Sequence, residues 1–321
     1  MAEPLLRYPF DDSISTYADE MEQMTREWLQ NDYSFLPPEV RTRYAKTKTG
    51  YLTARFFPHA SKERLVALSM CSLWGLAFDD YYEHADLKTY DILRKKIGAI
   101  IRGEAVAGKD TNAFYRQMAI IAKKFRSWMP EHWMHRFAHS MEKYIDGMIE
   151  ESVYKREQLF PTPKEYENIR WKSVDVLQMI DGVEVATELP LSDLVRHHPH
   201  MEAIAVLVCR IIAWCNDYFS VQKETGRDVM NLILVLQYAY KQSRADAVSK
   251  LLLQHDVDLG KYRQLTATLP DFGREQAAVT KFIEYNNLMI AGHWRWYITD
   301  TLRYKSGGSP AIDAFADVPA S

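Results

Sequence analysis

The stretch Leu65-Val66-Ala67-Leu68-Ser69-Met70-Cys71-Ser72-Leu73-Trp74-Gly75-Leu76-Ala77-Phe78-Asp79-Asp80-Tyr81-Tyr82-Glu83 runs as a nearly continuous apolar series and then turns acidic. It is too long for one strand, and its bulky residues recur at three- and four-residue spacing, so it predicts a buried helix. At 100° per residue Asp79 and Glu83 lie one turn apart on one face with Asp80 beside them, so their oxygens can converge beyond the helix end. Carboxylates at a helix C-terminus oppose the macrodipole, which disfavours them there unless a cation answers them. Hard oxygens suit Mg²⁺, which takes one or two carboxylates and completes its shell with water and phosphate oxygens. The alternative is an acidic helix end facing solvent.

The same helical spacing extends through most of the chain, strand signals are nearly absent, and Pro, Gly and Asp-rich breaks punctuate it. The expectation is an all-α single-domain bundle over residues 1–305, with 306–321 a disordered tail of small residues. Helices are expected near 15–30, 38–56, 61–83, 86–104, 111–127, 131–158, 163–188, 199–225, 227–255 and 274–302. Ser61-Lys-Glu-Arg reads as an N-cap with an acid in the first turn, and Pro163-Lys-Glu as a proline-opened turn. There is neither an obvious linker nor a repeat of fixed period.

A second cluster, Asn216-Asp217-Tyr218-Phe219-Ser220-Val221-Gln222-Lys223-Glu224, closes another strongly apolar helix. Asn216, Ser220 and Glu224 are spaced i, i+4, i+8 and drift only about 40° per step, so an amide oxygen, a hydroxyl and a carboxylate form one polar stripe. A polar face on a surface helix is the plainer reading of this segment taken alone.

Together the two clusters resemble the aspartate-rich and NSE motifs of the bacterial class I terpene synthases, and NDxxSxxKE is a full version of the second. Two further positions fit: Arg170 lies 46 residues before Asn216, where that family carries a pyrophosphate-sensing arginine, and Arg303-Tyr304 begins 87 residues after it. The resemblance runs from the first helices to Tyr304. It implies that Asp79 bridges two Mg²⁺ ions with Glu83 contributing, and that Asn216, Ser220 and Glu224 hold a third. It further implies that Asp80 pairs with Arg303 as the site closes, and that Arg170, Lys223, Arg303 and Tyr304 donate to a diphosphate. One position departs from the pattern. Ser173 stands at the linker position and Val174 at the effector position, where a small residue is usual. Valine keeps the backbone carbonyl thought to act there but alters how the helix breaks, and Gly182 offers another break point.

A carbocation needs an apolar cup lined with π-faces, each worth roughly 0.5–2 kcal/mol of attraction. Phe56, Phe57, Trp74, Phe78, Trp214, Trp294 and Trp296 are candidates, Phe78 and Trp296 foremost; the alternative is that such aromatics are core. His132, His135 and His139 fall at i, i+3, i+7 but lack a fourth ligand for zinc, and Asp11-Asp12 reads as a cap or turn. The chain has no Walker A, GxGxxG or GxSxG string.

A net charge of −3 over 321 residues implies no nucleic-acid or anionic-membrane partner. The run Ala203–Cys215, interrupted by Arg210, is short for a membrane span, and the N-terminus has no secretory pattern, so a cytoplasmic location is expected. Cys71, Cys209 and Cys215 read as buried thiols. By resemblance the substrate is an isoprenyl diphosphate: farnesyl first, geranylgeranyl next, geranyl third. It would be ionised and cyclised to a hydrocarbon or alcohol with release of diphosphate. A chain-elongating prenyltransferase and a catalytically silent isoprenoid-diphosphate binder are the alternatives, and a homodimer is compatible with the sequence.

Overall fold

The computed structural model describes residues 6–108 and 111–303, so Tyr304 and the expected tail at 306–321 lie outside the described residues. Within them the chain is all-α, as expected, and no strand occurs. The helices are α1 Ala18–Asn31, α2 Pro38–Thr47, α3 Thr49–Phe56, α4 Lys62–Tyr82, α5 Leu87–Arg102, α6 Ala113–Arg126 and α7 Glu131–Glu157. They continue with α8 Pro163–Ser173, α9 Leu177–Thr187, α10 Asp193–Arg196, α11 Pro199–Glu224, α12 Leu232–Tyr240, α13 Arg244–Ala267 and α14 Gln276–Thr299.

Two helices are buried on nearly every face. The α4 helix packs against α1, α3, α6 and α9, which covers Leu65, Leu68, Cys71, Leu73, Trp74 and Phe78. The α11 helix packs against α8, α9, α13 and α14. It is long and apolar enough to cross a membrane, but Met201, Ile204, Val208, Ile211, Ile212 and Trp214 are buried within the fold, so its composition is accounted for by the core. All three cysteines are buried free thiols.

Three expected helices are each broken in two. The 38–56 segment divides at Lys48 (φ 63°), the 163–188 segment at Asp175 (φ 61°), and the 227–255 segment at Lys241 (φ 52°). Each break places a non-glycine residue in the left-handed region, so the usual glycine signal is missing. Gly182 is not the second break but lies inside α9. A β-carbon there would come within 2.8 Å of Leu68 and 3.3 Å of Phe57, so its bare α-carbon lets α9 approach α4.

The α13 helix runs past residue 255, and the turn beyond it is held inward by Asp258, which accepts from Arg210 at 2.8 Å and from Trp214 at 2.9 Å. Thr162 and Glu165 form a reciprocal capping box with Pro163 in the first turn of α8, whereas Ser61 precedes α4 without a side-chain capping bond. Asp12 is neither cap nor turn. It pairs with Arg55 at 3.1 Å and Arg295 at 3.0 Å, fixing the N-terminal segment across α3 and α14.

Candidate active site

The C-terminal ends of α4 and α11 face each other across a cavity of about 570 Å³, and α7, α8 and the last residues of α14 complete its wall. That volume is in the range of a small-molecule site. Asp79, Asp80, Glu83, Glu151, Lys155, Arg170, Asn216, Lys223, Glu224, Asp228 and Arg303 line its polar part. Leu52, Phe56, Leu76, Val174, Val176, Met179, Ile212, Met230 and Trp296 line the apolar part.

The two carboxylate clusters are held by different means. Asp79 accepts a hydrogen bond from Tyr144 at 3.0 Å, while Asp80 accepts two from Arg303 at 3.0 and 3.1 Å. Glu83 meets Lys155 at 3.0 Å, and the same ammonium lies 3.3 Å from Glu151 and 3.5 Å from Asp228. Burial disfavours the charge on Lys155, yet these carboxylates, Asp228 foremost, hold its pKa well above the ordinary value.

On α11, Ser220 donates to Glu224 at 2.9 Å, and Asn231 donates to Glu224 at 2.8 Å and to Ser220 at 3.2 Å. Ser220 lies beneath Glu224 and is fully buried. Asp217 faces away from the cavity, where the backbone of Leu232 at 3.0 Å and the Tyr166 hydroxyl at 2.5 Å bind it. It anchors α11 against α8 and α12.

Arg170 is fixed from α8 by hydrogen bonds to Asp217 at 3.2 Å and to the side-chain oxygen of Asn216 at 2.9 Å, with Glu151 3.7 Å away. The amide of Asn216 in turn donates to Tyr297 at 2.8 Å. Ser173, also on the cavity wall, donates to Glu151. Val174 closes α8 in a helical conformation, so the left-handed turn falls on Asp175, one residue beyond the expected effector.

The aromatics divide. Phe56 and Trp296 line the cavity, and Trp296 donates to the carbonyl of Lys48 at 3.0 Å, so the α2–α3 break holds its indole in place. Phe78, Trp74 and Phe57 do not line it. Phe78 stacks on Trp74 at 4.5 Å and meets Phe114 edge-on at 5.6 Å, because the face of α4 that carries it turns toward α6. Trp214 packs with Tyr166 between α8 and α11, and Trp294 packs against Tyr8. His132, His135 and His139 line a separate cavity with Arg136 and Arg196. These two guanidiniums pair with Glu184, Asp181 and Asp193.

Lys155, Glu151, Asp228, His293 and Asp175 also line the site, and none was singled out from the sequence. Asp228 had a signal, since it continues the 216, 220, 224 spacing by one more step of four. Glu151 and Lys155 also stand four apart, on a helix whose charged residues otherwise read as surface.

The donor set fits a hard divalent cation. Burial raises the pKa of Asp79 to about 7, against the lowering pull of Lys155 and with Asp80, Glu151 and Glu83 pushing it further up, and burial together with Asp228 raises Glu224 to about 7. Such carboxyls lack sufficient positive charge nearby, and a metal would supply it. Among the described residues no three His, Cys, Asp or Glu side chains converge into a closed cage. That suits an ion completed by an amide, a hydroxyl, water and phosphate oxygens.

Residues 70–257 match the model of terpene synthase family 2, C-terminal metal binding, a region that contains both clusters. The chain belongs to the class I terpene synthase family. It is a terpene cyclase of the lyase class and resembles bacterial members along most of its length. The (+)-T-muurolol synthase of Roseiflexus castenholzii, described as cyclising (2E,6E)-farnesyl diphosphate, is 26% identical over 302 residues, covering 92% of each chain. The germacrene A synthase of Nostoc punctiforme is 25% identical over 299 residues, covering 91% of this chain and 92% of its own. Among solved structures, the SVS_A2 protein from ancestral sequence reconstruction superposes with a TM-score of 0.82 at 22% identity over 96% of this chain and 94% of its own. The linalool/nerolidol synthase of Streptomyces clavuligerus gives 0.81 at 15% identity over 91% of this chain and all of its own. These two show the same fold.

Proposed function

We propose that this terpene synthase ionises farnesyl diphosphate in a Mg²⁺-dependent reaction and cyclises the resulting cation to a sesquiterpene hydrocarbon or alcohol. The observation that carries this reading is the juxtaposition of the two oxygen clusters and Arg170, Lys223 and Arg303 around one mouth, above an apolar wall. The sesquiterpene relatives support the fifteen-carbon substrate.

Asp79 and Glu83 on α4, and Asn216, Ser220 and Glu224 on α11, would hold the ions, three in all. When bound, Mg²⁺ supplies Lewis-acid neutralisation of the diphosphate and so favours its departure. Arg170 and Arg303 are forks suited to paired phosphate oxygens, and Lys223 is a point charge beside them. Because Asp217 and Asp80 already orient these guanidiniums, little reorganisation remains when charge develops on the leaving group. Phe56 and Trp296 present π-faces to positive carbon without acting as nucleophiles. Leu52, Leu76, Met179 and Ile212 exclude water and mould the folded chain. The chain acts as one catalytic unit over residues 1–305 in this reading.

Diphosphate release should be followed with geranyl, farnesyl and geranylgeranyl diphosphates, each with and without isopentenyl diphosphate. Release with farnesyl diphosphate alone, lost in Asp79→Ala and Glu224→Ala with helical circular dichroism intact, supports cyclisation. Release that requires isopentenyl diphosphate would point to chain elongation, and saturable binding with no release to a silent binder.

A further inference from the structure

We propose that Asp175 is a specificity-determining residue of this cavity, its carboxyl group lying against the hydrocarbon part of the substrate and stabilising positive charge on the carbons nearest to it. The inference rests on the cyclisation reading above.

The break between α8 and α9 puts Asp175 at φ 61°, a conformation that L residues other than Asn and Asp rarely adopt. The turn carries its carboxyl across the cavity wall onto α4, directly over Gly75. A β-carbon at Gly75 would lie 2.1 Å from Oδ2 and 3.0 Å from Oδ1 of Asp175, so the missing side chain is what admits the group. Gly75 stands one turn before Asp79 on the same face of α4, so the carboxyl sits a turn deeper than the metal-binding end, on the side of Ser72, Val176 and Met179.

Oδ1 of Asp175 is buried with no hydrogen-bond partner among the described residues. A buried polar group without a partner costs free energy and is kept where a ligand or a reaction uses it. Burial, with Asp79 adding to it, pushes the Asp175 carboxyl well above the usual carboxylate range, which favours its neutral form. A neutral carboxyl still turns an oxygen lone pair toward a cation, and it is a poor nucleophile that does not trap the carbocation as an ester. A fixed dipole aimed where charge develops favours those cations that place charge beside it, and thereby the products that descend from them.

The test uses the purified protein with farnesyl diphosphate and Mg²⁺, reading the product profile by gas chromatography–mass spectrometry and the Mg²⁺ concentration for half-maximal rate. Wild type is run first; if it forms no cyclic product, the cyclisation reading fails and not this one. Given a cyclising wild type, Asp175→Ala should change the share of the main product at least about threefold, with the Mg²⁺ requirement held. Asp175→Asn tolerates the same backbone and keeps a carbonyl dipole, so it should restore most of the wild-type profile. Gly75→Ala leaves Asp175 chemically intact but displaces its carboxyl, and should shift products as Asp175→Ala does. An Asp175→Ala variant with the wild-type profile overturns the proposal. So does one whose only change is a higher Mg²⁺ requirement, which would assign the residue to the metal-binding end.

Discussion

Arg303, just beyond α14, donates to both carboxylate oxygens of Asp80 at the end of α4, at 3.0 and 3.1 Å, with the two side chains only 6% and 14% exposed. The pair closes the cavity mouth between segments 223 residues apart. The resemblance implied this pairing, and in the structure Asp80 fixes the orientation of the Arg303 guanidinium at the cavity wall. The two residues should act as one unit. Arg303→Ala and Asp80→Asn should each lower kcat/KM substantially, and the double variant should lose far less than the product of the two factors. A kinetic double-mutant cycle checks this; independent, multiplying losses would mean that Asp80 does not act through Arg303.

Arg170 is held by Asp217 and Asn216 from two sides. If it carries charge stabilisation on the leaving group, Arg170→Ala should cost at least about 10²-fold in kcat. Single-turnover diphosphate release measures this, and a near-normal rate would move the sensor elsewhere.

Lys155 bridges Glu83, Glu151 and Asp228. Removing it leaves three buried or half-buried carboxylates without their cation, so Lys155→Met should destabilise the metal-free protein by about 3 kcal/mol or more. Mg²⁺ should recover more melting temperature in this variant than in wild type, since a divalent ion can then take over the charge. Thermal melts with and without Mg²⁺ decide it; an equal metal increment in both proteins would contradict the role.

The carboxyls of Asp79 and Glu224, both raised to about 7, set a pH dependence. The folded protein binds more protons than the unfolded chain between the ordinary carboxylate range and about pH 7. Stability of the metal-free form from these groups is therefore fully present at low pH and lost as pH rises through 7. Asp79→Asn and Glu224→Gln should flatten that fall, as followed by melting temperature from acid to mildly alkaline buffer in EDTA. An unaltered slope in both would show that the carboxyls are not raised.

Phe78 belongs to the core with Trp74 and Phe114. Phe78→Ala should cost about 3–5 kcal/mol of stability while the surviving folded protein keeps its product profile. Phe56→Leu should do the reverse, since Phe56 lines the cavity. The two variants are compared by denaturant melts and product analysis side by side.

The helices and the two polar clusters were legible because apolar spacing and oxygen-bearing side chains at four-residue intervals are local properties. The breaks at Lys48, Asp175 and Lys241 were not, because each rests on a left-handed residue that is not glycine. The aromatic lining was half legible: periodicity shows that Phe78 faces inward, but whether inward means α6 or the cavity depends on the rotation of α4 among its neighbours. Lys155 and Glu151 were hidden for a related reason, since charged residues four apart on a long helix read as a solvated face until that face meets another motif.

The central claim is tested most directly by incubating purified protein with farnesyl diphosphate and analysing the extract by gas chromatography–mass spectrometry, with Mg²⁺ and with EDTA. A cyclic fifteen-carbon product that forms with Mg²⁺ and disappears with EDTA is the predicted result. Unchanged farnesyl diphosphate in the presence of Mg²⁺, or an equal yield of product in EDTA, would contradict the account.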